Sequence, residues 1–424
     1  MRVYLEAFGC AQNRGEGSAI ARELEAHGHV LLGAPEGSEA IVLVTCGVIG
    51  PTETRMVQRW RTLAELSPRV IVTGCLVPLR TGLFGGDARA RTTFVPIREQ
   101  SGIPQLLGTT GGAVASPPTE PRRPAPTVSE EVVIAQGCTS ACSYCYSRLA
   151  RGRLESVAPG TIGERVRAAV RRGAVEVRLT GLDTAVWGVD LPGERRLPDL
   201  VESLSGDLGP ARLRVGMMSP QSVAPFVERY ASVLAGGAAY RFVHLPVQSG
   251  SDSILEAMHR GHSVETFRRQ VAVLRRAVPD VHLATDVIVG YPGETDDDAR
   301  ATEELVEEVG AETVNVTRFS PRPGTPAARL PPLRPRLARE RSRRLAALRR
   351  RVARGRLERW IGEHRPAQVL EYGPGGSSVA RLDNYLPVVL ATRPPLGTRV
   401  EVTVDGARST YLLGRAGGPF VAGV

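Results

Sequence analysis

Along the first hundred residues, short apolar runs alternate with longer stretches of mixed polarity. RVYLEAF, AIVLVTC and RVIVTGC are brief and rich in β-branched residues, the pattern of buried strands. GEGSAIARELEAHG and PTETRMVQRWRTLAEL lie between them with apolar residues at helical spacing, and TFVPI reads as a fourth strand. Strands alternating with helices predict an open parallel α/β sheet over residues 1–108. The stretch that follows, TTGGAVASPPTEPRRPAPTVS, is dominated by Gly, Pro, Ser and Thr and reads as a linker over 109–129.

From residue 130 the alternation resumes. EVVIA, EVRLT, RLRVGMM, RFVHLP, HLATDVIVG and TVNVTRF are six strand candidates. The segments between them are amphipathic; in TIGERVRAAVRRG, for example, Ile162, Val166 and Val170 share one stripe. Six βα units predict a partial (β/α)6 barrel, an incomplete relative of the eightfold one. The module runs to residue 360 and closes with an Arg-rich helix, whose Leu337, Leu345, Leu348 and Val352 supply an apolar face. Residues 361–424 change period again. AQVLEY, LPVVLA, TRVEVTV and STYLLG, separated by Gly and Pro, predict a small β-barrel of the kind used to hold nucleic acids.

Charge sharpens this picture. The chain of 424 residues carries a net charge of +10 and contains no Lys, so all 54 basic residues are Arg. A GC-rich genome accounts for the missing Lys but not for the sign. Twelve Arg and two Glu lie between Arg334 and Arg359, an electrostatic footprint for a polyanion. Arg343, Arg344, Arg350 and Arg351 are the candidate phosphate contacts. No apolar run approaches the ~18 residues of a membrane span, and the N-terminus lacks the features of a signal peptide. The expected location is the cytoplasm, with no membrane association and a monomeric state.

The chemistry lies in the cysteines, six in all and too few for a disulfide framework. GCTSACSYCYSRLARG holds Cys138, Cys142 and Cys145 as C-x3-C-x2-C at the end of the first barrel strand. A zinc site wants four N or S ligands in paired spacings, and no fourth Cys or His lies in this loop. A [4Fe–4S] cluster held by three thiolates keeps one iron open. That iron can chelate the amino and carboxylate groups of S-adenosylmethionine. Cys10, Cys46 and Cys75 each end a strand of the first module, in LEAFGC, LVTC and VTGC. In an open parallel sheet those ends lie side by side, where ligands bind, so three thiols converge there on a second cluster with an open iron. Three buried structural cysteines are the alternative.

The C-x3-C-x2-C loop, with Tyr144 just before its third Cys, resembles the cluster loop of the radical S-adenosylmethionine superfamily. The six cysteines and the order of modules resemble the methylthiotransferases within it. The strings YSRLARGRLES, RVGMMSP, HLPVQSGSDSILEAM, ATDVIVGYPGET and VNVTRFSPRPGTPAA resemble the archaeal and eukaryotic type that modifies N6-threonylcarbamoyladenosine in tRNA. The resemblance implies an N-terminal cluster domain, a radical barrel and a C-terminal TRAM barrel. It implies two [4Fe–4S] clusters, one generating a radical from S-adenosylmethionine and the other holding the sulfur and methyl group to be inserted. An electron donor such as flavodoxin or ferredoxin, and tRNA, are the implied partners. The neighbourhood of Tyr144 is then expected to pack on the adenine.

Departures from the family pattern remain. LTGLDTAVWG has Leu182 where relatives carry Glu or Gln to hold the methionyl end of the cofactor, so Asp183 or another residue takes that role. Gln248, Ser249 and Ser251 fit a polar loop at a strand end, and Arg318 ends the last barrel strand. Gln248 and Arg318, with Tyr144 and Asp183, complete the cofactor-site candidates. Asp286, Glu294 and the Pro292–Gly293 turn fit either a site or a helix cap. MHRGHS places His259 and His262 close together, which reads as exposed helix and loop histidines rather than a metal site. A methylthiotransferase acting on a peptide or small natural product, and a non-catalytic RNA-binding protein with structural clusters, are the competing functions.

Overall fold

The computed structural model describes residues 1–47, 50–108, 128–237 and 239–417. Most of the expected linker lies outside the described residues. Its last residue, Ser129, already opens a strand of the next module.

The N-terminal module runs β1 (Arg2–Ala7), α1 (Ala11–Ala26), β2 (Val30–Leu32), β3 (Ala40–Thr45), α2 (Gly50–Leu66), β4 (Val70–Gly74), α3 (Val77–Arg80), β5 (Thr92–Phe94) and α4 (Ile103–Leu107). Its five strands are all parallel, in the order β2-β1-β3-β4-β5. The continuous apolar runs of β3 and β4 are buried at every position, as central strands covered on both faces must be. Trp60 and Leu63 of α2 cover one face and Ile20 and Leu24 of α1 the other. The edge strand β2 escapes the sequence pattern because three residues are too few to show a period.

The central module begins with β6 (Ser129–Val133). A short antiparallel pair, β7 (Ala135–Gln136) and β8 (Glu155–Ser156), then brackets the cysteine loop and α5 (Tyr146–Arg151). The repeat continues as α6 (Pro159–Arg171), β9 (Glu176–Thr180), α7 (Leu197–Leu204), β10 (Arg212–Val215), α8 (Pro220–Val223), α9 (Val227–Ala235), β11 (Phe242–His244), α10 (Asp252–Ala257), α11 (Val264–Ala277), β12 (His282–Val289), α12 (Asp296–Val309), β13 (Thr313–Arg318) and α13 (Pro335–Glu358). Strands β6-β9-β10 and β11-β12-β13 form two parallel sheets, joined by parallel bridges at Leu213–Ala239 and Met217–His244. The result is an open arc of six parallel strands, the partial barrel that six βα units predict. Ile162 and Val166 are fully buried in its core, with Val170 packed beside them.

The C-terminal module is a closed barrel of β14 (His364–Tyr372), β15 (Ser378–Leu382), β16 (Pro387–Leu390), β17 (Arg399–Ala407) and β18 (Leu412–Gly417). Strand β15 was not expected. Its inward positions are Ser378, Ala380 and Leu382, so its alternation is weak in hydrophobicity.

This barrel docks on the N-terminal ends of the central strands. Arg212 pairs with Asp383 at 3.1 Å, the Arg241 amide donates to the Asp383 carbonyl, and Asn384 Nδ2 donates to the Asp280 carbonyl. Tyr385 packs against Tyr240 and Phe242. Helix α13 runs alongside α12 from the opposite end of the arc and places Leu357 in the core of the small barrel. No helix among the described residues is long and apolar enough to cross a membrane.

Candidate active site

The C-terminal strand ends of the central module surround a cavity of about 370 Å³. Cys138, Cys142 and Cys145 line it, and so do Tyr144, Asp183, Gln248 and Arg318. The structure therefore brings both groups of residues singled out in this module to one place. Backbone amides are aimed at two of the sulfurs. Ser140 N donates to Cys138 Sγ and Arg148 N to Cys145 Sγ, each at 3.4 Å. Burial outweighs these bonds, raising the Cys138 thiol and pushing Cys145 up to about 11. A bare thiolate is thus unfavourable here, and a cationic iron in place of the proton would relieve that cost.

Arg260 was missed at the sequence level. It comes from the MHRGHS loop, donates to Cys142 Sγ at 3.5 Å and to the Pro246 carbonyl at 2.8 Å, and lines the same cavity.

The polar residues divide by what already occupies them. Asp183 is buried, and its carboxylate accepts from Ala185 N, Ser219 N and Ser222 Oγ at 2.7–3.1 Å. Burial raises its pKa despite these bonds. Gln248 lines the cavity with its Oε1 buried and unpartnered, and its backbone sits at φ 75°, which a non-glycine residue adopts only under constraint. Ser249 and Ser251 do not line the cavity. They turn to α12, where Ser249 Oγ meets Thr302 Oγ1 at 3.4 Å and Ser251 donates to Asp298 at 2.5 Å. Asp286 lines it and bonds His244 and Asn315. Glu294 is a helix-end partner instead, buried against Arg341 at 2.7 Å. His259 is exposed as expected, but His262 is buried and its pKa falls to about 3, through desolvation and then the nearby Arg260 charge.

In the N-terminal module the three strand ends meet as the topology requires. Gly9, at φ 107°, leaves room for Cys46, whose Cβ lies 2.7 Å from where a side chain at Gly9 would begin. Gly74, at φ 94°, passes so close to Thr45 that any Cβ would strike its backbone. The GC pairs in FGC and TGC are therefore a requirement of strand-end crowding. Cys10 stands at the N-cap position of α1 without a side-chain capping bond, and Cys10 Sγ and Cys75 Sγ lie 3.9 and 3.8 Å from the same atom, Asn13 Oδ1. Burial pushes the Cys75 thiol up to about 12. None of the six cysteines is in a disulfide.

The two cysteine sites adjoin across the module seam. A Cβ at Gly47, next to Cys46, would meet Tyr146, next to Cys145, at 3.0 Å. Arg322 lies over the Tyr146 ring and pairs with Glu53 of α2. Arg151, wholly buried, pairs with Glu16 of α1. Removing one partner of such a pair costs about 3–5 kcal/mol.

Among the described residues, no group of three or more His, Cys, Asp or Glu side chains is arranged to hold a metal ion. A [4Fe–4S] core takes its thiolates on different irons, so its ligands stand further apart than those of one ion. The donor sets, three thiols on one loop and three at neighbouring strand ends, fit that group in chemistry, and the thiols must give up their protons to bind it.

On α13, Arg343, Arg344, Arg350 and Arg351 are all exposed. Arg344 and Arg351 nevertheless pair with Glu303 and Glu307 of α12, at 3.1 and 2.8 Å. Arg341 turns inward to Glu294 and Asp296, and Arg356 to Glu312. Part of the arginine run thus holds helices together.

Residues 2–83 match the Uncharacterized protein family UPF0004, residues 132–306 the Radical SAM superfamily and residues 358–416 the TRAM domain. The chain is 36% identical to a probable threonylcarbamoyladenosine tRNA methylthiotransferase from Methanothermobacter thermautotrophicus, over 97% of this chain and 99% of that protein. It is 34% identical to a tRNA-2-methylthio-N(6)-dimethylallyladenosine synthase from Chloroflexus aurantiacus, over 85% and 80%. Among solved structures, the radical S-adenosylmethionine methyltransferase TsrM from Kitasatospora setae superposes with a TM-score of 0.57 at 15% identity, covering 77% of this chain and 75% of that one, a likeness of fold. With three family models matched in turn along the chain, a relative matched end to end at 36% identity and a cysteine triad in each of the first two modules, this chain belongs to the radical S-adenosylmethionine methylthiotransferase family.

Proposed function

We propose that the enzyme inserts a methylthio group at C2 of N6-threonylcarbamoyladenosine beside the anticodon of tRNA, in the cytoplasm. One observation carries this reading: an archaeal protein named for that reaction aligns with 97% of the chain at 36% identity. The TRAM match and the cationic α13 support an RNA substrate.

In this reading Cys138, Cys142 and Cys145 hold one [4Fe–4S] cluster together with S-adenosylmethionine, and Cys10, Cys46 and Cys75 hold a second. When bound, these groups supply one-electron cleavage of the sulfonium, a radical able to take hydrogen from an unactivated carbon, and the sulfur to be inserted. The chain's own part is to bind and orient. Gln248 Oε1, buried and unpartnered, is the acceptor for the cofactor's ammonium group, a role that Leu182 cannot fill and for which Asp183 is already engaged. Arg260 holds a positive charge against Cys142. Tyr144, packed beside Ile254 and Met258, offers a partly buried ring to the adenine. Arg318, at the exposed end of β13, is placed for an anionic group of cofactor or substrate. Exposed arginines of α13 neutralise RNA phosphates.

Mass spectrometry of tRNA nucleosides from a deletion strain tests the reading. The 2-methylthio derivative is expected to disappear and its unthiolated precursor to accumulate. If the derivative persists and no second gene supplies it, the assignment fails.

A further inference from the structure

Arg151 belongs to the radical loop, six residues beyond Cys145, yet its side chain serves the other triad. The guanidinium is wholly buried. It donates from Nη2 to Asn13 Oδ1 at 2.6 Å and to Glu16 Oε2 at 3.0 Å, and from Nη1 to Gln136 Oε1 at 2.7 Å and to the second oxygen of Glu16. Asn13 is locked. Its Nδ2 donates to the Phe8 and Thr45 carbonyls at 2.7 and 2.9 Å, so Oδ1 is fixed toward Arg151 on one side and toward the Cys10 and Cys75 sulfurs on the other. A thiol can donate to that oxygen. A metal-bound thiolate has no proton to give, so the oxygen then faces negative charge, and Arg151 is the cation that offsets it. Glu16, also buried, is a negative charge on the same guanidinium.

We propose that Arg151 is a positioning residue that sets the charge environment of the group held by Cys10, Cys46 and Cys75, with Glu16 opposing it. This rests on the reading above that the N-terminal triad holds an iron–sulfur cluster. A buried cation favours the more negative, reduced form of its neighbour, and a buried anion favours the oxidised form. The guanidinium is delivered by the loop that carries the radical triad, so the charge beside the N-terminal site comes from the neighbouring module.

The test is a redox titration followed by electron paramagnetic resonance, on full-length reconstituted protein in which Cys138, Cys142 and Cys145 are Ala, so that only the N-terminal site gives a signal. Arg151→Gln is expected to shift the midpoint potential negative and Glu16→Gln to shift it positive. The double variant and Arg151→Lys are expected to stay near the parent. Loosened packing alone has no reason to move the two single variants in opposite directions. Where Arg151→Gln does not fold, Glu16→Gln and Arg151→Lys still decide the matter. Shifts of one sign in both single variants, or no shift in Glu16→Gln, overturn the assignment of Arg151 alone. A parent that binds no iron overturns the cluster reading, and this assignment with it.

Discussion

Burial makes His262 a neutral residue with a measurable consequence. Its folded pKa of about 3 lies well below the ordinary 6.5, through desolvation and the charge of Arg260, and buried His282 behaves alike. As pH falls below 6.5 the unfolded chain takes up a proton at each site that the folded chain refuses. The stability from each histidine is whole above 6.5 and is lost toward 3, at about 1.4 kcal/mol per pH unit. The urea midpoint of the wild-type chain is therefore expected to fall between pH 7 and 5.5, and that of His262→Gln to fall less. A substitution that leaves the slope unchanged would show that the folded chain protonates His262 as readily as the unfolded one. The sequence gives no sign of this burial, because it depends on how the loop after α10 folds back on the barrel. The cysteines are a contrast. Cys138, Cys142 and Cys145 are legible because their spacing is local, and Cys10, Cys46 and Cys75 because each ends a recognisable strand. Arg260 and Arg151 were not legible, since their partners Cys142 and Asn13 lie 118 and 138 residues away.

Helix α13 shows what composition reveals about an element and what it leaves out. Twelve arginines in and around one helix are plain in the sequence, but which of them face a neighbouring helix is not. Residues seven apart return to nearly the same helical face, so Arg336, Arg343 and Arg350 form a stripe with steps of about 10 Å. All three are exposed, and none has an ion-pair partner among the described residues. Arg344 and Arg351 sit one position round, against the glutamates of α12. Neutralising Arg343 and Arg350 together is expected to weaken tRNA binding and to reduce the slope of log affinity against log salt by about 2. Changing Arg344 and Arg351 together is expected to do less to that slope. Filter binding across a salt series separates the two cases, and equal effects from both pairs would mean that the ion pairs to α12 open when RNA arrives.

At the scale of the whole molecule, the order of modules was readable from changes of period along the chain. Their docking was not, because the seams rest on contacts such as Arg322 with Glu53 and Arg212 with Asp383, which no local pattern announces. The two cysteine triads occupy different modules, and those of the N-terminal module are not among the residues lining the 370 Å³ cavity. Their roles should therefore separate. Changing Cys138, Cys142 and Cys145 to Ala is expected to halve an iron content of about eight per chain and to abolish 5′-deoxyadenosine formation. Changing Cys10, Cys46 and Cys75 is expected to leave cofactor cleavage in place and stop methylthiolation. Iron analysis and product chromatography on the two variants check both outcomes, and full methylthio product from the second would remove its triad from sulfur transfer. The cavity opens at one end of the central strands, and the C-terminal barrel grips the other. The 24 residues of α13 span that distance, about 36 Å at 1.5 Å per residue. A nucleic acid that placed one base in the cavity and its backbone on the small barrel would have to reach across the length of this helix.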